Sequence, residues 1–131
     1  MYEYLGTLEN KNILIVDDDT RNTFALSSYL EELGIIVHTA ASGFEALDLL
    51  TNSHKIDLVL MDMMMPGMDG YETIERLRSN PLTNKLPVIS VTAKAMVGDR
   101  EKCLEAGASE YVSKPVNMKE LIEKMATLLS D

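Results

Sequence analysis

Four acids, one hydroxyl and one ammonium carry most of the chemical capacity of this sequence. Asp17-Asp18-Asp19 follows the apolar run NILIV (12–16), and Asp62 closes LVLM (58–61). Thr92 closes VISV (88–91), and Lys114 follows SEYVS (109–113). Two carboxylates about 4 Å apart repel by roughly 4 kcal/mol at an effective dielectric near 20, so acids gathered at one place call for a cation. Mg2+ suits such a place, because it takes a few carboxylates, keeps several waters and adds a phosphate oxygen readily. Beside that cation Asp62 could attack phosphorus and form an acyl phosphate. Thr92 and Lys114 are suited to donate to phosphoryl oxygens. Taken singly, each residue has a plainer explanation. Asp19 reads as a helix cap, Thr92 as a β-former and Lys114 as surface charge. Together, at matched positions, they favour a site built on Asp17, Asp18, Asp62, Thr92 and Lys114.

The intervening sequence supplies elements that would hold these residues at one edge. NILIV (12–16), IIVHTA (35–40), IDLVLM (56–61), LPVISVT (86–92) and SEYVS (109–113) read as strands. Between them lie stretches of helical period. Leu26, Tyr29, Leu30 and Leu33 share one helix face, which Gly34 ends. Ser42 caps a helix over 42–52 with Ala46, Leu47 and Leu50 inward. Tyr71, Ile74 and Leu77 mark the next helix, and Ala95 to Ala106 another, stopped by Gly107. Met118, Leu121, Ile122, Met125, Leu128 and Leu129 form the clearest stripe. The strands are near-continuous apolar runs, as a parallel sheet covered on both faces requires. In such α/β sheets, sites form beyond the carboxyl ends of the strands, where the acids, Thr92 and Lys114 fall. Residues 1–11 stand outside the pattern as an extension or linker, and 12–131 form the domain.

Composition narrows the function classes. The 131 residues allow one domain with a core but not two. A net charge of −9 argues against direct contact with nucleic acid or an anionic membrane. Cys103 is the sole cysteine, so an intrachain disulfide and a cysteine zinc cluster are excluded; it reads as a small helix residue. The sequence shows no basic-then-apolar leader and no apolar run of bilayer length, so a cytoplasmic location is expected. The methionines around Asp62 raise a Cu(I) site, but flexible apolar packing explains them better. His38 and His54 have no partner at ligand spacing.

ILIVDDD, VLMDMMMPGMDG, VISVTA and YVSKP, in that order, resemble a response-regulator receiver domain of two-component signalling. The resemblance covers residues 11–131. It implies a flavodoxin-like (βα)5 fold, a doubly wound five-stranded parallel sheet of order 2-1-3-4-5. By position it implies Asp62 as phospho-acceptor and Asp17 and Asp18 as the acidic pair for Mg2+. The carbonyl of Met63 is implied as a further ligand. Thr92 becomes the switch hydroxyl, Tyr111 the aromatic switch and Lys114 the partner of the phosphorylated site. The Lys114-Pro115 peptide is expected to be cis. Met64 and Lys94 stand where the family tunes hydrolysis, and neither suits positioning of water, so a slowly hydrolysing phosphoryl group is expected.

RNTFALSSYLEE, AASGFEAL and TAKAMVGDREKCLEAGASEYVSKPV are similar to receivers attached to hybrid histidine kinases. With no DNA-binding output domain after Asp131, the expected partner is a phosphorylated histidine in a kinase or a histidine phosphotransfer domain. The expected docking surface is the site edge and the helix between Arg21 and Glu32. The chain would be a monomer that catalyses its own phosphorylation, a signalling domain rather than an enzyme. A stand-alone single-domain response regulator is the alternative. ILIVDDDTR also resembles haloacid-dehalogenase-like phosphatases, but Arg21 breaks that motif and no later acidic pair follows Lys114. A pseudo-receiver would lack one of the acids, the threonine or the lysine.

Overall fold

The computed structural model describes residues 5–52, 55–93 and 97–130. The expectations placed on His54, Lys94 and Ala95 fall outside them. The elements are α1 (Leu5–Leu8), β1 (Asn12–Val16), α2 (Thr20–Glu32), β2 (Ile36–Ala40), α3 (Gly43–Asn52), β3 (Leu58–Asp62), α4 (Gly70–Arg78), β4 (Val88–Thr92), α5 (Asp99–Ala106), β5 (Glu110–Ser113) and α6 (Met118–Leu129). The strands form one five-stranded sheet of order β2-β1-β3-β4-β5. Every pairing is parallel. This is the doubly wound, flavodoxin-like α/β arrangement.

Successive strand residues feed opposite faces of the sheet. Ile13, Ile15, Leu58, Leu60, Ile89 and Val91 pack with Leu30 of α2 and Leu121, Ile122 and Met125 of α6. Leu14, Val16, Val59, Met61 and Val88 pack with Ala46 and Leu50 of α3, Ile74 and Leu77 of α4 and Cys103 of α5. All residues of β3 and β4 are buried, which fits their largely apolar sequence, with Asp62, Ser90 and Thr92 as the buried polar exceptions. The segment before β1 also contributes, since Leu8 of α1 is fully buried in the first of these cores.

Local signals set most helix starts. Asp19 caps α2 through the Arg21 amide, Asp69 caps α4 through Glu72 and Asn117 caps α6 through Glu120. Ser42 accepts from the Glu45 amide at 3.1 Å while Glu45 Oε1 accepts from the Ala41 amide at 2.9 Å. One start differs from expectation. Val97 and Gly98 form a turn, and α5 begins only at Asp99. Gly98 sits at φ 96, in the left-handed region that interrupts a right-handed helix.

Candidate functional site

Register brings the site residues to one edge. Val16 of β1 pairs with Met61 of β3, so Asp17 and Asp62 are the next residues on neighbouring strands. Thr92 ends β4 opposite Ser113 of β5, and Lys114 follows. The Lys114 amide donates to the Thr92 carbonyl at 2.8 Å, which carries the pairing to the Lys114 main chain. The Lys114-Pro115 peptide is cis.

The chain turns sharply after each acid. Asp17 Oδ1 accepts from the Asp19 amide at 2.8 Å, and Asp19 starts α2. Asp62 Oδ1 accepts from the Met64 amide at 3.2 Å. The Met63 amide donates to the Val91 carbonyl at 3.0 Å, and the Met63 carbonyl accepts from the Gly70 amide at 3.3 Å. The loop from Met63 to Gly70 is thereby closed against β3. Met63, Met65 and Met68 are buried, whereas Met64 is half exposed. Three methionines thus pack the loop from beneath.

Asp17 and Asp62 are 8% and 5% exposed, which removes most of the water that would stabilise two anions. Lys114 Nζ lies 3.7 Å from Asp17 Oδ2 and 3.6 Å from Asp62 Oδ1. One ammonium therefore bridges both carboxylates. Burial is the main reason the Asp62 carboxyl is held above its ordinary range, and the charge of Asp17 adds to it. The Met64 amide and Lys114 pull in the opposite direction. The more exposed Asp18 joins the group: carboxylate oxygens of Asp17, Asp18 and Asp62 all lie within 4.8 Å of one another. An all-oxygen, all-anionic donor set of this size fits a small hard divalent cation such as Mg2+.

Thr92 stands at the end of β4, and Tyr111 on β5 pairs with Ser90, two residues earlier in β4. Thr92 is fully buried, and Tyr111 packs against the core formed by Cys103 and its neighbours. Burial and the charge of Asp99 raise the Tyr111 phenol. Tyr71 OH lies 4.0 Å from Cys103 Sγ, and burial followed by Cys103 pushes the Tyr71 phenol up to about 12. Cys103 is fully buried, the packing role its sequence context suggested. His38 Nε2 is 3.0 Å from Asn12 Oδ1, and among the described residues it joins no group that could hold a metal ion.

A cleft of about 370 Å3 opens beside the acids. Asp17 and Lys114 share its lining with Ala25, Leu26 and Tyr29 of α2 and with Val116. Sequence reasoning marked the face of α2 but not the part played by Val116, because only the turn after Lys114 brings it there. Lys124 is a second residue that sequence reasoning passed over. Its Nζ donates to the Tyr111 carbonyl at 2.6 Å. The spacing Glu120–Lys124 was a visible signal of an ion pair, but not of its extension to β5.

The family model of the response regulator receiver domain matches residues 13–126. The sensor histidine kinase RcsC of Escherichia coli K12 is 43% identical over 119 residues, covering 91% of this chain and 12% of that protein. Two further curated relatives, matched at 40% and 39% identity, are covered over 56% and 51% of their length. A response regulator receiver domain protein from Methanospirillum hungatei is 36% identical with a TM-score of 0.82, over 92% of this chain and 94% of that one. The receiver domain of Ssk1 from Saccharomyces cerevisiae, solved with the histidine phosphotransfer protein Ypd1, is 26% identical with a TM-score of 0.85. That match covers 93% of this chain and 90% of the other. Among the described residues no helix is long and apolar enough to cross a membrane.

Proposed function

The chain belongs to the response regulator receiver domain family, and from that premise we propose that Asp62 accepts a phosphoryl group from a phosphohistidine in a Mg2+-dependent reaction. The observation that best supports this is the convergence of Asp17, Asp18 and Asp62 with Lys114 at the carboxyl edge of the sheet. Asp17, Asp18 and Asp62 would hold the Mg2+. The Met63 carbonyl, which already accepts from Gly70, would add its second lone pair. Bound there, the cation would offset the negative charge of the pocket and supply Lewis acidity toward an incoming phosphoryl group.

The remaining work falls to the side chains. Asp62 attacks phosphorus in line. Its O–P bond forms as the N–P bond of the phosphohistidine breaks, and the electron pair stays with the imidazole, which takes a proton from solvent. Lys114 favours the ionised form of Asp62 beforehand and donates to a phosphoryl oxygen afterwards. The Thr92 hydroxyl donates to another phosphoryl oxygen and moves toward it. Tyr111 then turns inward, shifting an existing equilibrium between two states of the face around β4, α5 and β5. Met64 offers no group to orient an attacking water, which supports slow hydrolysis of the aspartyl phosphate.

The donor is a histidine kinase or a histidine phosphotransfer domain, and the cleft between α2 and Val116 receives it. The Ssk1 receiver solved with Ypd1 supports a partner of this type. The match to RcsC supports an origin within a hybrid kinase. Relatives matched over about half their length support a separate response regulator as the second reading. A net charge of −9 supports a monomeric domain without direct nucleic-acid or anionic-membrane contact. The test is transfer from a radiolabelled, phosphorylated histidine phosphotransfer domain. Label should pass to the wild type and not to Asp62→Asn; equal labelling of both proteins overturns the assignment.

A further inference from the structure

Among the described residues β5 is an edge strand, paired only with β4. The outer main-chain groups of an edge strand need partners other than a strand. At Tyr111 two side chains supply them. The Tyr111 amide donates to Glu110 Oε1 at 3.0 Å, and the Tyr111 carbonyl accepts from Lys124 Nζ at 2.6 Å. Lys124 Nζ also lies 3.4 Å from Glu110 Oε1 and 3.4 Å from Glu120 Oε2. The peptide groups on both sides of Tyr111 are thus closed into a ring by an ion pair reaching from α6. Lys124 and Glu110 are each only about a quarter exposed, so water competes weakly for them.

We propose that Lys124 is a positioning residue for Tyr111: the Lys124–Glu110 clip fixes the main chain at Tyr111 and sets how readily its side chain changes orientation. The inference rests on the receiver reading, in which Tyr111 is the aromatic switch. Side-chain rotamers depend on the φ and ψ of their own residue. A charge-assisted bond at the Tyr111 carbonyl therefore stabilises the orientation present in this structure relative to its alternative. α6 thereby becomes part of the switch. A clip that served only to cover the strand edge would affect stability and leave the Tyr111 equilibrium unchanged.

The test uses the whole chain labelled with fluorotyrosine, with the Tyr111 signal assigned from Tyr111→Phe. Lys124→Met keeps the length of the side chain and removes the ammonium. The minor Tyr111 signal should grow about fivefold or more in the unliganded protein, given the strength of hydrogen bonds to charged groups. By linkage, trifluoroberyllate with Mg2+, a phosphoryl analogue, should bind tighter by the same factor. Lys124→Arg should return both readouts toward wild type. A folded Lys124→Met whose Tyr111 signal and analogue affinity stay within about twofold of wild type overturns the proposal. Should Lys124→Met fail to fold, Glu110→Gln decides it. That variant keeps an acceptor for the Tyr111 amide, and unchanged readouts there also overturn the proposal. If the analogue does not bind the wild type, the receiver reading has failed, and the unliganded Tyr111 signal still judges Lys124.

Discussion

Replacing Asp62 by asparagine should make the fold more stable at neutral pH, although it removes a buried, ion-paired side chain. Carboxylate oxygens of Asp17 and Asp18 lie within 4.8 Å of Asp62, and Lys114 Nζ is 3.6 Å away. At an effective dielectric near 20, an acid at the outer limit costs about 3.5 kcal/mol and Lys114 returns about 4.6. Asp18 is exposed, so solvent screens most of its share. The charges roughly cancel, and the desolvation of a carboxylate that is 5% exposed remains. The raised Asp62 carboxyl carries the same sign. A folded state that holds this proton to higher pH than the unfolded chain loses stability as pH rises through that interval. Above it the cost is fully present. Asparagine can still accept from the Met64 amide, so a gain of about 1–2 kcal/mol is expected at pH 7 in chelator. Urea unfolding followed by circular dichroism reads it directly. The midpoint should rise with an unchanged slope. The two proteins should converge as pH falls below the ordinary carboxylate range. Saturating Mg2+ should stabilise the wild type by about 2.7 kcal/mol at a hundredfold excess over its Kd, and the variant less. An Asp62→Asn protein equal to or less stable than wild type at pH 7 in chelator refutes this account of the pocket's electrostatics.

Three other outcomes follow from packing and ionisation. Gly70→Ala would place a Cβ 2.7 Å from the Asp62 carbonyl oxygen and 2.7 Å from Met63 Cα. Neither backbone atom can yield without moving Asp62, so a loss of about 1–3 kcal/mol in urea and slower acetyl phosphate labelling are expected; unchanged labelling would contradict it. Leu8→Ala empties a fully buried position in the core beneath α2 and α6, and calorimetry should show a loss of about 2–5 kcal/mol. Tyr71, with its phenol near 12, stays neutral in the fold while unfolded tyrosines ionise near 10. Its stability contribution is present below pH about 10 and declines as pH climbs toward 12. Tyr71→Phe should therefore flatten the alkaline loss of stability, followed beside the tyrosinate absorbance.

The sheet was legible because its chemistry is repetitive. An apolar run buried on both faces, such as Leu58–Met61, reads as an interior strand. Asp17, Asp62, Thr92 and Lys114 could be placed at one edge from sequence, since parallel strands deliver their ends together. The strand order needed the family resemblance, because periodicity does not say which strand neighbours which. What escaped were contacts made across elements. Leu8 looks isolated in sequence, and only the packing beside α6 makes it core. The helix expected from Ala95 begins at Asp99 because Gly98 occupies a positive φ, which composition does not reveal. The clip at Tyr111 joins Glu110 to Lys124 across a strand and a helix, a separation at which charge spacing carries no signal.

Intact-mass analysis after incubation with acetyl phosphate and Mg2+ tests the central claim with the fewest components. The account predicts one phosphoryl adduct on the wild type, labile to hydroxylamine, and none on Asp62→Asn or in the presence of a chelator. An adduct that survives Asp62→Asn would contradict it and move the nucleophile elsewhere, with Asp17 the first to be examined.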